Sequence, residues 1–156
     1  MAVGENAGKA SISFMDMALD EAKLAQTLGE VPIGAVMTHQ GSIIARAGNR
    51  TRTLNDPTAH AEILAIRMAC DALGSQRIED CDLYVTLEPC AMCAGAISHA
   101  RIRRLYYGAP DEKGGAVSNG PRFFSQPTCF HAPDVYAGLA ETEAAELLQK
   151  FFRALR

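Results

Sequence analysis

The sequence predicts an α/β fold in which one mixed sheet carries helices on both faces. Some segments repeat apolar residues at helical spacing, and others form short runs typical of strands. These segments follow one another in the order α-β-β-α-β-α-β, with a last short strand before a closing helix, an order that favours a sheet between two layers of helices. The 156 residues are enough to bury one core, so we expect a single domain over residues 1–156.

The expected elements can be assigned from spacing and from turn residues. In order, they are a helix over 12–28, strands over 33–38 and 43–46, a helix over 60–73, a strand over 82–87, a helix over 91–99, strands over 102–107 and 135–139, and a helix over 141–155. Residues 1–9 are small and polar and predict a frayed tail. The turn 39–42 makes the first two strands a hairpin, Thr58 is the expected cap of the second helix, and 108–126 is expected to be loop with a short helix.

Composition excludes several classes of protein. The net charge of −3 argues against a general nucleic-acid coat, so nucleic-acid binding would have to rest on local contacts. No apolar stretch reaches the roughly 18 residues of a membrane span, and residues 1–10 lack a cleavage pattern, so we expect a cytoplasmic protein without a membrane partner. Five cysteines with a single Cys-x-x-Cys pair do not resemble a disulfide framework and favour metal or redox chemistry.

Two short motifs supply candidate metal ligands. His60-Ala-Glu62 opens one predicted helix, and Pro89-Cys90-Ala-Met-Cys93 opens another. One imidazole and two thiols can form three sides of a tetrahedral Zn²⁺ site, and without an obvious fourth ligand a position stays open for water, as catalytic zinc requires. The positive end of a helix dipole also favours the thiolate forms of Cys90 and Cys93, which bind metal.

The spacing of Glu62 constrains the geometry of this site. Two residues along a regular helix turn by roughly 200°, so His60 and Glu62 share a site only if His60 lies at or before the first helical position. A glutamate that does not bind the metal could take a proton from the water and pass it to a substrate, which makes metal-assisted hydrolysis the expected class of reaction. The alternative for Glu62 is a solvated carboxylate stabilised by the helix dipole.

The cysteine pair leaves other interpretations open. A Cys-x-x-Cys pair also occurs in redox centres and in structural zinc sites, and a structural site needs a fourth ligand. Cys70 falls in an apolar helix, where packing of a buried thiol is expected, and Cys81 lacks a paired partner. Cys129, in a polar loop, is the one plausible fourth ligand.

The two motifs together match the known signature of the zinc nucleobase deaminases, and the chain from about residue 12 resembles the cytidine/deoxycytidylate deaminase superfamily. Within it, the chain is most similar to the bacterial tRNA-specific adenosine deaminases, chiefly through 83–96 and the run Tyr-Tyr-Gly-Ala-Pro-Asp-Glu-Lys-Gly-Gly at 106–115. The other matching stretches are 30–35, 48–50, 57–62 and 101–109, and 111–116 and 151–153 continue the resemblance.

This resemblance implies a three-layer α/β/α sandwich with a mixed, five-stranded sheet, the cytidine deaminase-like fold. It also implies a homodimer with one Zn²⁺ per subunit. The implied activity is that of an RNA-editing hydrolase that converts adenosine to inosine at the anticodon wobble position of an arginine tRNA. The same fold and metal occur in free-purine deaminases such as guanine deaminase, which is the nearest alternative. A zinc-stabilised binding module without turnover is an alternative of another class.

The resemblance assigns roles to individual residues. It gives His60, Cys90 and Cys93 to zinc and Glu62 to proton transfer. The matches for substrate binding are Asn49, Asp111, Phe152 and Arg153.

Among these matches, Asn49 corresponds to a residue that hydrogen-bonds the flipped base, a role that suits an amide because it both donates and accepts. Asp111 corresponds to a residue near the ribose of the neighbouring nucleotide, where a carboxylate could accept a hydrogen bond from a 2′-hydroxyl. Phe152 and Arg153 correspond to a terminal pair that grips the anticodon loop. Without the resemblance, Asn49 and Asp111 would be interpreted as turn residues and Phe152 as core.

Two regions are not assigned a function. The segment 117–137 departs from the family pattern, so RNA contacts there, including any from His131, stay open. Arg101, Arg103 and Arg104 form the clearest basic cluster, but they fit a dimer contact or a solvated strand edge as well as RNA.

Overall fold

The computed structural model describes the backbone of residues 3–155 and the side chains of residues 14–155. It contains four α-helices, five strands and a short 3-10 helix in this part of the chain. These are α1 (Val3–Thr27), β1 (Gly34–His39), β2 (Ser42–Gly48), α2 (Ala61–Leu73), β3 (Cys81–Leu87), α3 (Ala91–His99), β4 (Arg104–Ala109), the 3-10 helix (Phe123–Ser125), β5 (Asp134–Ala137) and α4 (Glu141–Ala154).

The strands form one mixed sheet in the order β2-β1-β3-β4-β5. Strand β1 is antiparallel to β2 and β3, whereas β3, β4 and β5 are parallel to one another. Helices α1 and α4 contact each other and the sheet on one side, and α2 packs on β1 and β2 and contacts α3. The five-stranded α/β/α sandwich expected from the sequence is confirmed.

Several boundaries differ from the sequence-based expectation. Helix α1 continues back to Val3, through most of the predicted tail 1–9, although Gly4 and Gly8 in this stretch have low helix propensity. Residues 1 and 2 lie outside the described residues. Strand β4 begins at Arg104 rather than 102, because Arg101 takes a left-handed conformation (φ 61°) and the chain turns there. The expected 135–139 strand and 108–126 loop appear as β5 and the segment with the 3-10 helix.

The sheet brings the ends of four segments to one edge. Gly34 at the start of β1 pairs with Gly48 at the end of β2, and Leu87 at the end of β3 pairs with Ala109 at the end of β4. The loops that follow parallel strands at their carboxyl ends are where α/β proteins usually place ligand sites. Among the described helices, none combines the length and apolar composition that crossing a bilayer requires.

Candidate active site

The three predicted metal ligands meet where α2 and α3 begin. His60 is the N-cap residue of α2 and Cys90 the N-cap residue of α3, both with extended backbone. Nδ1 of His60 lies 3.6 Å from Sγ of Cys90 and 3.4 Å from Sγ of Cys93. The three ligand atoms all lie within 4.8 Å of one another. The sequence-based expectation that His60 stands before the first helical residue is therefore confirmed.

The sequence-based prediction of the cap of α2 is wrong. Thr58 was expected to cap the helix, but no side chain caps it, and its N-cap residue is His60. The backbone N–H and the hydroxyl of Thr58 both donate to Oδ1 of Asp56, at 2.9 and 2.7 Å. Thr58 is thus held in a turn ahead of the helix, and this turn leads His60 to the metal site.

The donor set fits zinc. With Zn–S bonds of about 2.3 Å and Zn–N bonds of about 2.0 Å, a tetrahedral ion separates a sulfur and a nitrogen ligand by about 3.5 Å. The distances of His60 Nδ1 to the two thiols match this value. Within residues 14–155, no other histidine, cysteine or acidic residue joins the group. Cys129, the possible fourth ligand, instead contacts Ser98 and donates to the carbonyl of His131 at 3.1 Å.

The three candidate ligands shift one another's pKa values even without a metal ion. The hydrogen bond with Cys93, together with the one with His60 and against the effect of burial, lowers the pKa of Cys90 to about 4. The same hydrogen bond and burial raise the pKa of Cys93. The hydrogen bond with Cys90 also raises the pKa of His60. One thiolate therefore exists at neutral pH, and metal binding must displace the proton of the second thiol.

Glu62 lies in the first turn of α2 with only 4% of its surface exposed. Burial raises the pKa of its carboxyl, and the charge of Cys90 raises the pKa further. A raised pKa means that the carboxyl holds a proton more readily than an exposed one, which suits a group that accepts and releases protons. The alternative of a solvated carboxylate is excluded because the side chain is buried.

The substrate-binding candidates divide between two places. Asp111 and Phe152 line one groove of about 640 Å³ between the sheet edge and α4, and Lys113 stands on the same wall. Phe152 also lines an adjoining cavity of about 370 Å³ together with Arg153. Phe152 is 48% exposed, so the alternative that it belongs to the core is wrong.

Asn49 follows β2 and is 5% exposed. Its backbone N–H donates to the carbonyl of Ile33, a residue of the groove wall, and its side-chain amide donates to Thr51 at 3.5 Å. Asn49 itself lines a separate cavity of about 340 Å³ between α1 and α2. The structure thus sets Asn49 beside the groove rather than within its lining.

Two of the three arginines in the basic cluster, Arg103 and Arg104, face the carboxylate of Asp82. Arg103 makes two hydrogen bonds of 3.0 Å to the carboxylate of Asp82, and Arg104 lies 3.9 Å from the same carboxylate. His131 contacts the carbonyl of Ile102 at 2.7 Å. These side chains therefore make contacts within the fold, near the start of β4.

Two buried carboxylates were missed by the sequence interpretation. Glu30 and Glu88 are 0% and 2% exposed, and each accepts hydrogen bonds from a loop beside the site. The sequence does contain one indication of this burial, because each of the two glutamates adjoins an apolar strand. A charge buried there must accept hydrogen bonds from several donors. Spacing alone does not reveal which loop supplies them.

Glu30 holds the loop that follows Asn49. Its carboxylate accepts from the backbone N–H of Arg52 and from both the N–H and the hydroxyl of Thr53, at 3.2, 2.8 and 2.6 Å. Burial raises the pKa of Glu30, but the hydrogen bonds from Thr53 and Arg52 outweigh it and leave the pKa below its ordinary value.

We expect Glu30→Gln to reduce the free energy of unfolding by about 1–3 kcal/mol at pH 7. A carboxyl whose pKa is lower in the folded protein stabilises it above the unfolded-state pKa and loses that effect as the pH falls through the folded-state pKa. The difference between variant and wild type should therefore shrink below about pH 4. Urea unfolding of variant and wild type at pH 7 and at a pH below about 4 measures this difference. A loss of stability of equal size at the two pH values would contradict the role of the charge.

Comparison with known proteins agrees with this site. The pattern of the cytidine and deoxycytidylate deaminase zinc-binding region matches residues 9–109. The tRNA-specific adenosine deaminase of Agrobacterium fabrum is 69% identical over 143 residues, which cover 92% of this chain and 94% of the relative.

Two solved structures extend the comparison. One, from a study of A-to-I editing by tRNA:A34 deaminases at the wobble position of transfer RNA, superposes with a TM-score of 0.86 at 70% identity and covers 87% of this chain and 99% of the other. A guanine deaminase from Bacillus subtilis superposes with a TM-score of 0.63 at 35% identity, over 90% and 92% of the two chains. The chain belongs to the zinc-binding cytidine and deoxycytidylate deaminase family and, within it, to the tRNA-specific adenosine deaminases.

Proposed function

We propose that this protein converts adenosine to inosine at the wobble position of a tRNA anticodon, with an arginine tRNA as its substrate. The observation that carries the proposal is the buried Glu62 beside the ligand group of His60, Cys90 and Cys93, which no fourth protein ligand joins within residues 14–155. A metal-supported hydrolysis needs this combination of an open coordination position and a proton carrier.

In the proposed mechanism His60, Cys90 and Cys93 hold one zinc ion per subunit. When bound, zinc supplies the chemistry of a Lewis acid, which lowers the pKa of a water molecule to about 7. Glu62 takes a proton from the attacking water and delivers it to a ring nitrogen of the base, and it then protonates the departing amine. The water oxygen bonds to C6 of adenine, the bond from C6 to the amino nitrogen breaks, and ammonia leaves.

The groove lined by Asp111 and Phe152 supports a loop of RNA as the substrate. The target base has to leave the stack to reach C6, so a single-stranded loop is preferred to a duplex. We assign Asn49 to the edge of the flipped base and Asp111 to a neighbouring 2′-hydroxyl. The half-exposed ring of Phe152 suits stacking on a base, and Arg153 suits a phosphate.

The free-purine alternative is less well supported. The identity to the tRNA-specific relative is 69%, against 35% to the guanine deaminase structure. The groove is also edged by cationic residues, Lys113 there and Arg153 in the adjoining cavity, which a neutral free base would not require.

The test is to incubate the purified, zinc-loaded protein with arginine tRNA, free guanine and free cytidine. Inosine at the wobble base of the tRNA, with little turnover of the free bases, is the expected result. Turnover of guanine alone would overturn the substrate assignment. No turnover of any substrate, with zinc present, would favour the binding module without activity.

We also propose a homodimer located in the cytoplasm. The dimer rests on the family resemblance, and the location rests on the tRNA substrate. Light scattering of the purified protein should give the mass of two chains, and a mass of one chain at micromolar concentration would contradict the dimer.

A further inference from the structure

We propose that Glu88 is a positioning residue, which fixes Asp111 relative to the nearby ligand Cys90 and thereby sets the preference for ribose at the nucleotide next to the target base. The inference rests on the proposed function, since that function makes Asp111 the contact to this ribose. Residues 110–119, which follow β4, are called the ribose loop below.

The carboxylate of Glu88 is the anchor of the ribose loop. Its Oε1 accepts hydrogen bonds from the N–H of Asp111 at 3.0 Å and from the side-chain amide of Asn119 at 2.7 Å. Its Oε2 accepts from the N–H groups of Val117, Ser118 and Asn119 at 3.1, 2.9 and 3.1 Å. Five donors from both ends of one loop thus converge on one buried side chain.

The same anchor leads directly into the metal site. Glu88 is followed by Pro89 and by the ligand Cys90. The N–H of Glu88 donates to the carbonyl of Ala109, and the carbonyl of Pro89 accepts from Ala116, both at 2.9 Å. These hydrogen bonds tie the ribose loop to the same short backbone segment that carries the zinc ligand Cys90. They therefore fix the position of Asp111 relative to that ligand.

Asp111 is fixed from its side-chain end as well. Its Oδ1 accepts from the N–H groups of Lys113 and Gly114, at 3.1 and 3.0 Å. The loop also approaches Glu88 closely at Gly115, where a Cβ atom would lie 2.5 Å from the Glu88 carboxyl and from the Asp111 carbonyl. This packing leaves Asp111 little freedom to move as long as the anchor is intact.

The negative, acceptor-only character of Glu88 is what the loop needs. A glutamine has one acceptor oxygen and one –NH₂ group, so in either orientation its –NH₂ would face N–H donors. Buried N–H groups left without an acceptor are costly, and this cost favours release of one end of the loop. Glu88→Gln should therefore loosen Asp111 without touching a metal ligand.

The experiment compares RNA hairpins that carry the anticodon loop. One is all ribose, and the others have a single 2′-deoxyribose on one or the other side of the target adenosine. For the wild type, the deoxy substitution at the contacted side is expected to reduce kcat/KM by about 10–150-fold, the loss of one hydrogen bond to a charged group. For Glu88→Gln, kcat/KM on the all-ribose hairpin should fall at least about tenfold, and the ribose-to-deoxyribose ratio should approach one.

Matched variants separate positioning from general damage. Asp111→Asn should lower the same ratio, and adding Glu88→Gln to it should cost much less than the sum of the two changes, as expected for coupled residues. Glu30→Gln removes an equally buried carboxylate from the other loop, so it should leave the ratio at the wild-type value. Bound zinc should stay at one ion per chain in all variants.

Asn119→Ala is a milder test, because it removes only one side-chain donor to Glu88 and should lower the ratio partway even if Glu88→Gln fails to fold. A reduced activity with an unchanged ratio in the Glu88 or Asn119 variants would overturn the inference and leave the proposed function standing. A wild-type protein that deaminates none of the hairpins and no tRNA would instead refute the proposed function.

Discussion

Glu62→Gln is expected to abolish deamination while the protein keeps its fold and its zinc. General acid–base catalysis by one positioned group contributes about 10²–10⁴-fold to a rate, and Glu62 serves more than one proton transfer in the proposed mechanism, so a loss at the upper end of this range is expected. Glutamine has nearly the same shape as glutamate, so the buried position gains no cavity. Inosine formed on arginine tRNA in a single turnover measures the loss.

The control for this variant is the metal itself. Zinc measured by mass spectrometry should stay at one ion per chain, because Glu62 is not among the three residues whose ligand atoms converge. Binding of tRNA should also be retained, since the change affects proton transfer rather than the groove. A Glu62→Gln protein that turns over substrate at more than about a tenth of the wild-type rate would refute the role of the carboxyl as proton carrier.

Removing a zinc ligand should have an equally large effect through a different cause. Cys93→Ser replaces a thiolate by a hydroxyl, which is a far weaker ligand for zinc at neutral pH. We expect loss of bound zinc and of activity together, and the same result from a strong chelator. Adding Zn²⁺ back should restore the chelated wild type but not the variant.

Two other cysteines provide the matched controls. Cys70→Ser and Cys129→Ser change thiols outside the ligand group, so zinc content and activity should remain near the wild-type values. Full activity in a sample shown to be free of zinc would contradict the metal-dependent mechanism. Loss of zinc in Cys129→Ser would show that this residue supports the metal site after all.

The metal site could be predicted because its signal is local. The short spacing of Cys90 and Cys93, and the requirement that His60 and Glu62 serve one site, already imply helix starts that face a common point. The structure agrees, with His60 and Cys90 as N-cap residues. The sheet and its helices followed from periodicity for the same reason.

The features that sequence could not supply depend on contacts between distant residues. Threonine suits a helix cap, which is why the sequence predicts that role for Thr58, but Asp56 accepts the hydrogen bonds of its N–H and hydroxyl groups instead. Glu88 binds residues 23 to 31 positions further along the chain, and no local pattern encodes this pairing. Asp111 and Phe152 share a groove only because α4 packs against the ends of the strands.

The placement of the ligands on two helix starts makes metal binding depend on the central sheet. His60 and Cys90 are 30 residues apart in the chain, and the whole of β3 lies between α2 and Cys90. Cys90 and Cys93 follow β3, whereas His60 stands at the start of α2, which packs on β1 and β2, so the ligand atoms converge only when β3 is paired with β1. Tight binding of the ion by all three residues therefore requires an intact centre of the sheet.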